Sequence, residues 1–202
     1  MPIDLVLFDL GGVVVELGGL DDMAAFARGV DEEALWRRWL ACPWVRRFER
    51  GECGPDEFGR GMVEAWSMPV SPETFLEAFA RWPKGLLPGA AELVREVGGQ
   101  RPVACLSNTN VLHAERLWGR LGVHELFPRR FFSHEIGIVK PDPEAFAHTI
   151  QALDCAADRI LFLDDNQINV DGARAAGLEA ERARGVAEAR AILVDRGVLE
   201  RA

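Results

Sequence analysis

Two apolar runs of strand length each break off at acid: Leu5-Val6-Leu7-Phe8 runs into Asp9, and Ile160-Leu161-Phe162-Leu163 runs into Asp164-Asp165. Uninterrupted apolar runs of this length read as buried strands of a parallel sheet. The first acid is followed by Leu10-Gly11-Gly12, where glycine lets the backbone turn tightly. In a parallel α/β sheet, ligands collect beyond the carboxyl ends of the strands near the switch in strand order, so acids from both runs can meet at one site. Paired carboxylates at a strand end point to a cation, and the arrangement points to an enzyme.

Further runs of strand length lie at 103–106 (Val103-Ala104-Cys105-Leu106) and around 130–133, with a weaker one near 178–182. Helix-like patterns separate them, which is the rhythm of βαβ units. Val186 to Val194 reads as a last helix after Gly185. Between the first strand and Pro88-Gly89 lie roughly 70 residues without a convincing strand, too long for a plain βα connection. An inserted helical cap is expected there. Asp31 precedes a helical pattern at Leu35, Trp36, Trp39 and Leu40. Gly54-Pro55-Asp56-Glu57 opens a second helix through Phe58, Met62, Val63 and Trp66, with Pro55 suited to its first position. Ser71-Pro72-Glu73 opens a third, whose apolar face carries Phe75, Phe79 and Trp82. The expected architecture is α/β: a doubly wound, Rossmann-like parallel sheet built from 1–15 and 85–202, with an all-helical cap over 16–84.

Composition narrows the function. A chain of 202 residues, 49% of them hydrophobic, can bury a full core plus a small accessory domain. A net charge of -9 disfavours nucleic acid or an anionic membrane as partner, so an anionic small substrate must meet local positive charge. Cys42, Cys53, Cys105 and Cys155 show no C-x-x-C spacing and read as free thiols in a reducing cytosol. No positively charged leader precedes the first strand, and no apolar run reaches the ~18 residues of a membrane span. The expected location is cytoplasmic.

Two further segments carry candidate chemistry. Ser107 and Asn108 follow the strand at 103–106, and Thr109-Asn110 lead into a helix containing Leu112, Leu117 and Trp118. A helix start with a hydroxyl and an amide suits phosphate, although capping alone explains the same residues; position beside the acids favours the anion site. In Lys140-Pro141-Asp142-Pro143-Glu144, Pro141 disfavours the α region for Lys140, Asp142 can cap and Pro143 fits a first helical turn. Lys140 is thereby held just outside a helix start, where a solvated surface lysine is the plainer alternative. His113, His124, His134 and His148 are scattered and read as surface or helix-end residues. Asn169 and Asp171, on the helix after the acidic pair, read as capping or orienting that loop. Trp36, Trp39, Trp44 and Trp66 read as cap core, with Trp44, Arg46 and Arg47 as candidates to line a substrate opening instead.

Taken in order, Asp9-x-Gly-Gly-Val13, Leu106-Ser107-Asn108, Lys140-Pro-Asp-Pro-x-x-Phe146 and Phe162-Leu-Asp-Asp165 resemble the four motifs of the haloacid-dehalogenase-like (HAD) hydrolase superfamily. The resemblance spans about residues 4 to 177, with the insertion between the first two motifs, and the D-x-G-[GN]-V and D-D-N forms are similar to a branch that includes bacterial sugar-1-phosphate phosphatases. It implies that Asp9 is a nucleophile that attacks phosphorus and forms an aspartyl-phosphate. It implies that Ser107, Asn108 and Lys140 hold the phosphoryl group, that Asp9, the Gly11 carbonyl and Asp165 ligate Mg²⁺, and that Asp164 acts through water or orients Lys140. A carboxylate cannot easily approach a phosphate dianion, and a hard oxygen-ligated cation with a lysine offsets that repulsion.

The chain departs from the family at one position: most such phosphatases carry a second aspartate two residues after the nucleophile, and here stands Gly11. The usual general acid and base, typically worth ~10²–10⁴-fold, is missing. Either another group or solvent substitutes, or the enzyme favours good leaving groups, as anomeric phosphates have. The expected function is a Mg²⁺-dependent phosphomonoesterase acting on a small phosphorylated metabolite, a sugar 1-phosphate among the candidates. Two other readings fit the family. One is a metal-independent 2-haloacid dehalogenase, against which the Asp164-Asp165 pair argues, since uncompensated carboxylates repel. The other is a non-catalytic phosphate-ligand sensor or partner-binding protein, against which Asp9 and Lys140 argue.

Overall fold

The computed structural model describes residues 2–18, 38–39 and 41–200. Its strands, in chain order, are β1 (Leu5–Phe8), β2 (Val15–Leu17), β3 (Pro83–Leu86), β4 (Val103–Ser107), β5 (Arg130–Phe132), β6 (Ile160–Asp164) and β7 (Glu179–Arg182). Its helices are α1 (Pro43–Glu49), α2 (Pro55–Trp66), α3 (Pro72–Phe79), α4 (Ala90–Gly98), α5 (Val111–Glu115), α6 (Ser133–Ile136), α7 (Pro143–Leu153), α8 (Gln167–Ala175) and α9 (Gly185–Asp195).

Side-chain alternation along the central strands sets the layers. Val6 and Phe8 of β1 point with Cys105, Leu161 and Leu163 into a core closed by Leu93 and Val97 of α4 and Ala189 and Leu193 of α9. Leu5 and Leu7 point the other way, with Ala104, Leu106 and Phe162, against Phe146 and Leu153 of α7 and Val170 and Ala173 of α8. Both faces are covered, which is why the central strands are apolar throughout. The parallel sheet has the order β5-β4-β1-β6-β7. From β1 the chain goes to β4 and β5 on one side, then crosses back to β6 and β7 on the other. That reversal lies at β1, so the carboxyl ends of β1, β4 and β6 open onto one crevice. The weaker sequence signal of β7, Glu-Ala-Glu-Arg, belongs to an edge strand, where charge is tolerated and blunts further pairing.

Among the described residues, the long connection after β1 is mainly helical but includes a ribbon that the sequence reading missed. β2 pairs antiparallel with β3, Val15 opposite Leu86 and Glu16 opposite Gly85. Three or four residues that include Pro83, Lys84 and Gly85 carry no strand pattern; the pairing comes from the chain returning beside its exit point. Within the insertion, α2 starts at Gly54-Pro55 as expected, and Ser71 caps α3, its Oγ accepting from Thr74 N at 3.2 Å. Helix α1, opened by Pro43, was not expected. The helix expected from Asp31 lies, apart from Arg38 and Trp39, outside the described residues. Trp82, expected on the face of α3, lies past its end but is buried.

Trp39, Phe48, Phe58, Met62, Trp66, Phe75, Phe79 and Trp82 form a core of their own. Phe58 is completely buried and stacks on Phe48 with ring centroids 4.2 Å apart. The sequence reading leaves His113 at a surface or helix end; instead it is buried under this cluster, and its Nε2–H donates to Phe79 O at 2.8 Å. Burial pushes His113 down to about 4, so the imidazole is neutral at physiological pH. Among the described residues, no helix is long and apolar enough to cross a membrane.

Phe58→Ala should cost about 3–5 kcal/mol in urea unfolding, because a stacked, fully enclosed ring leaves a cavity its aromatic neighbours cannot close. A loss below about 1 kcal/mol, the range of ordinary surface changes, would show that the cluster is not a packed core.

Candidate active site

Asp9 leaves β1 with its N–H donating to Leu163 O at 2.8 Å, so the hydrogen-bond ladder to β6 fixes the acid beside Asp164 and Asp165. Lys140 arrives from the loop before α7. Its backbone is held by Asn108, just beyond β4: Asn108 Nδ2 donates to Lys140 O at 2.9 Å, and Lys140 N donates to Asn108 Oδ1 at 2.8 Å. Neighbouring loops are tied in the same manner, since Ser133 Oγ accepts from Thr109 N and donates to Thr109 O, both at 2.9 Å. Asn110 caps α5, its Oδ1 accepting from His113 N at 3.1 Å. Ser133 lies in none of the motifs, and only the fold reveals its part.

The lysine side chain is almost wholly enclosed. Nζ donates to Asp9 Oδ1 at 2.8 Å and to Asp164 Oδ2 at 2.6 Å, with the Phe162 ring centroid 5.2 Å away. Asp164 also accepts from Asn166 N at 2.8 Å and from Asn169 Nδ2 at 3.1 Å. Its oxygens are therefore engaged in anchoring the lysine and the loop, and Asn169 orients that loop. Asp165, by contrast, is exposed beside the site. One carboxylate oxygen each from Asp9, Asp164 and Asp165 lie within 4.8 Å of one another.

Two adjacent glycines serve different ends. Gly12 has φ of +70°, and a Cβ there would sit 2.3 Å from Asp165 Oδ2, so only glycine allows this approach. Gly11 is outside the positive-φ region, and the nearest atoms a Cβ would meet belong to the exposed side chain of Leu17, its Cδ1 at 2.6 Å. Among the described residues no donor reaches the Gly11 carbonyl, and the hydroxyl of buried Ser107 has no hydrogen-bond partner.

Desolvation pushes the Asp9 carboxyl up to about 7 despite the pull of Lys140, with Asp164 and Asp165 adding repulsion. Desolvation by the site walls and repulsion from Asp164 take Asp165 to about 6. Burial works against the charge on Lys140, but Asp164 and Asp9 outweigh it and hold the lysine above its ordinary value. One permanent ammonium thus faces three crowded carboxyls, and a second cation would relieve the remaining repulsion. The uncommitted donors are oxygens of Asp9 and Asp165 and the Gly11 carbonyl, an all-oxygen set that fits a small hard ion such as Mg²⁺.

The three residues considered for the substrate opening separate. Trp44 packs over α2, where a Cβ on Gly61 would lie 2.2 Å from its ring. Arg47 covers Trp44 at 4.8 Å and pairs with Glu57 at 2.9 Å, within the insertion. Arg46 crosses to the sheet unit and binds both oxygens of Asp142, at 3.1 and 3.0 Å.

Lys140→Met keeps most of the side-chain volume and strands two buried carboxyls, which should cost about 3–5 kcal/mol at neutral pH. A carboxyl raised from its ordinary 3.8 to about 7 holds its proton more tightly in the folded chain, so its contribution to stability is present below 3.8 and lost as pH rises through 7. Without the lysine that loss deepens. Urea unfolding should show the variant far weaker than wild type at pH 8 and closer to it at pH 5; a constant gap would contradict the assigned charges.

The comparisons agree with this geometry. Residues 3–177 match the family model described as haloacid dehalogenase-like hydrolase. Sesquiterpene phosphatase astK of Aspergillus oryzae is 29% identical over 184 residues, covering 85% of each chain. Phosphoserine phosphatase of Thermus thermophilus is 31% identical over 179 residues, which cover 82% of this chain and 64% of that protein. Among solved structures, HAD family enzyme bt-2542 of Bacteroides thetaiotaomicron, in complex with magnesium and inorganic phosphate, superposes with a TM-score of 0.74 at 23% identity, over 89% of this chain and 93% of that one. Motif order, sheet topology and family match coincide over the same residues: the chain belongs to the haloacid dehalogenase-like hydrolases.

Proposed function

We propose that the protein is a Mg²⁺-dependent phosphomonoesterase that works through an aspartyl-phosphate on a small phosphorylated metabolite. The observation that carries this reading is the buried lysine bridging Asp9 and Asp164 while the carboxyl of Asp165 stays uncommitted beside them. A dehalogenase has no use for that third carboxyl, whereas a cation among oxygens gives it a role. The relatives named as phosphatases, and the relative bound to magnesium and inorganic phosphate, support the same chemistry.

Asp9 would attack phosphorus, the ester P–O bond would break, and water would then release phosphate from the aspartyl-phosphate and restore the carboxylate. Lys140 favours the ionised form of Asp9, orients it, and would balance charge on the phosphoryl oxygens. The unpartnered Ser107 hydroxyl, with Asn108 beside it, would complete the phosphate cradle. Asp9, the Gly11 carbonyl and Asp165 would hold Mg²⁺, which supplies positive charge against the phosphate dianion. Asp164 would act indirectly, by holding Lys140. Residues 16–84 would act as the cap that selects the substrate, with Arg46 the member of the suggested trio that reaches the sheet unit. A sugar 1-phosphate suits a site with glycine at position 11, because an anomeric leaving group needs less protonation.

Phosphate release from a panel of phosphorylated metabolites, with Mg²⁺ and with chelator, tests the reading. Hydrolysis should need Mg²⁺, and Asp165→Ala should lose activity and metal dependence together. Activity that survives full chelation overturns the metal assignment, and metal-free halide release from a 2-haloacid would favour the dehalogenase. Asp9→Asn should lower kcat by at least about 10³-fold while the chain stays folded; substantial residual turnover would overturn the covalent route.

A further inference from the structure

Arg46, Glu49 and Arg50 lie three and four residues apart and so share one face at the end of α1. That face is seated on the loop that carries the lysine. Arg46 binds both oxygens of Asp142 and Arg50 Nη2 binds Asp142 Oδ2 at 2.5 Å, two residues beyond Lys140. Just past the helix, Gly51 has φ of +70°, and a Cβ there would lie 2.5 Å from His134 O, so the chain presses against α6. Glu49, half-buried on the same helix face, feels the charges of Arg46 and of Lys140, the residue that grips Asp9. Neighbouring acids are spoken for, Glu57 by Arg47 and Asp142 by Arg46 and Arg50. Among the described residues no hydrogen-bond donor reaches the Glu49 carboxyl.

Resting on the phosphatase reading, we infer that Glu49 is the catalytic acid and base that stands in for the aspartate missing at Gly11, reaching the leaving group from the insertion rather than from the nucleophile loop. As Asp9 attacks and the P–O ester bond breaks, the Glu49 carboxyl gives its proton to the departing oxygen, which leaves as the alcohol. The resulting carboxylate then takes a proton from the water whose oxygen attacks the aspartyl-phosphate. The P–O bond to Asp9 breaks, phosphate departs, and both carboxyl groups return to their starting forms.

The surroundings poise the group for this exchange. Burial pushes Glu49 up to about 7, and Arg46 and Lys140 pull the other way without outweighing it. A carboxyl in that range is part protonated near neutral pH, where proton transfer in either direction is effective. The charged groups acting on it are Arg46 from its own helix and Lys140 from the sheet unit. From α6, the His134 backbone lies against Gly51, and burial lowers the proton affinity of its imidazole.

The test is the dependence of kcat/KM on leaving-group pKa across a series of aryl phosphates and one alkyl phosphate, with Mg²⁺, for wild type, Glu49→Gln and Glu49→Asp. Wild type should show a shallow slope and a fall in rate above about pH 7. Glu49→Gln should lose about 10²–10³-fold on the alkyl phosphate and under about tenfold on p-nitrophenyl phosphate, with the alkaline fall gone. Competitive inhibition by inorganic phosphate should stay unchanged, and Glu49→Asp should restore part of the alkyl rate and the alkaline fall. Equal losses across the series, or an alkaline fall that persists in Glu49→Gln, overturn the assignment and leave the phosphatase reading intact. A wild type that hydrolyses none of the series takes both readings down. Should Glu49→Gln not fold, Glu49→Asp decides alone: a selective drop on the alkyl phosphate supports the role, and unchanged rates throughout overturn it.

Discussion

The ammonium of Lys140, enclosed and shared between Asp9 and Asp164, is the interaction on which the rest of the site depends. A charge taken out of water costs several kcal/mol and is tolerated only where its partners are well placed and themselves satisfied. The surrounding bonds provide that placement. Asn108 holds the lysine backbone from the end of β4, Asn166 and Asn169 hold Asp164 from the start of α8, and the β1–β6 ladder holds Asp9. Each anchor comes from a different loop at the same end of the sheet. Register between β1, β4 and β6 is therefore also the register of the chemistry.

The central strands were legible because burial on both faces leaves nothing but apolar residues between the turn signals, as in Leu5–Phe8 and Ile160–Leu163. The starts of α2 and α3 were legible for a local reason as well: Gly54-Pro55 and Ser71-Pro72 carry their own boundary chemistry. The β2–β3 ribbon was not, since its pairing arises from two distant segments meeting and not from any pattern within Val15–Leu17 or Pro83–Leu86. His113 was misplaced for a similar reason. A histidine in a short helix looks solvent-facing until the aromatic cluster of another segment covers it.

Within the site, the acids and the lysine stood out because each ends a strand or precedes a constrained turn. Their division of labour did not. Nothing in Asp164-Asp165 as a dipeptide says that the first anchors the lysine and the second faces outward; that follows from which of them Asn169 can reach. The two glycines of Gly11-Gly12 are likewise indistinguishable as letters, yet one is required by a close approach to Asp165 and the other lies nearest the exposed side chain of Leu17. Position 11 is thus sterically permissive, and its lack of an acid is not forced by the turn.

The insertion is fastened to the sheet unit by two kinds of bond. At one end, guanidinium groups of Arg46 and Arg50 clasp Asp142; at the other, a neutral imidazole donates to a main-chain carbonyl under a roof of aromatic rings. Dissolved salt weakens a partly exposed ion pair more than a hydrogen bond between neutral groups, so the two fastenings differ in their response to ionic strength. Among the described residues, ionic strength therefore acts more on the arginine side of the insertion, beside the loop that carries the lysine, than on the imidazole side.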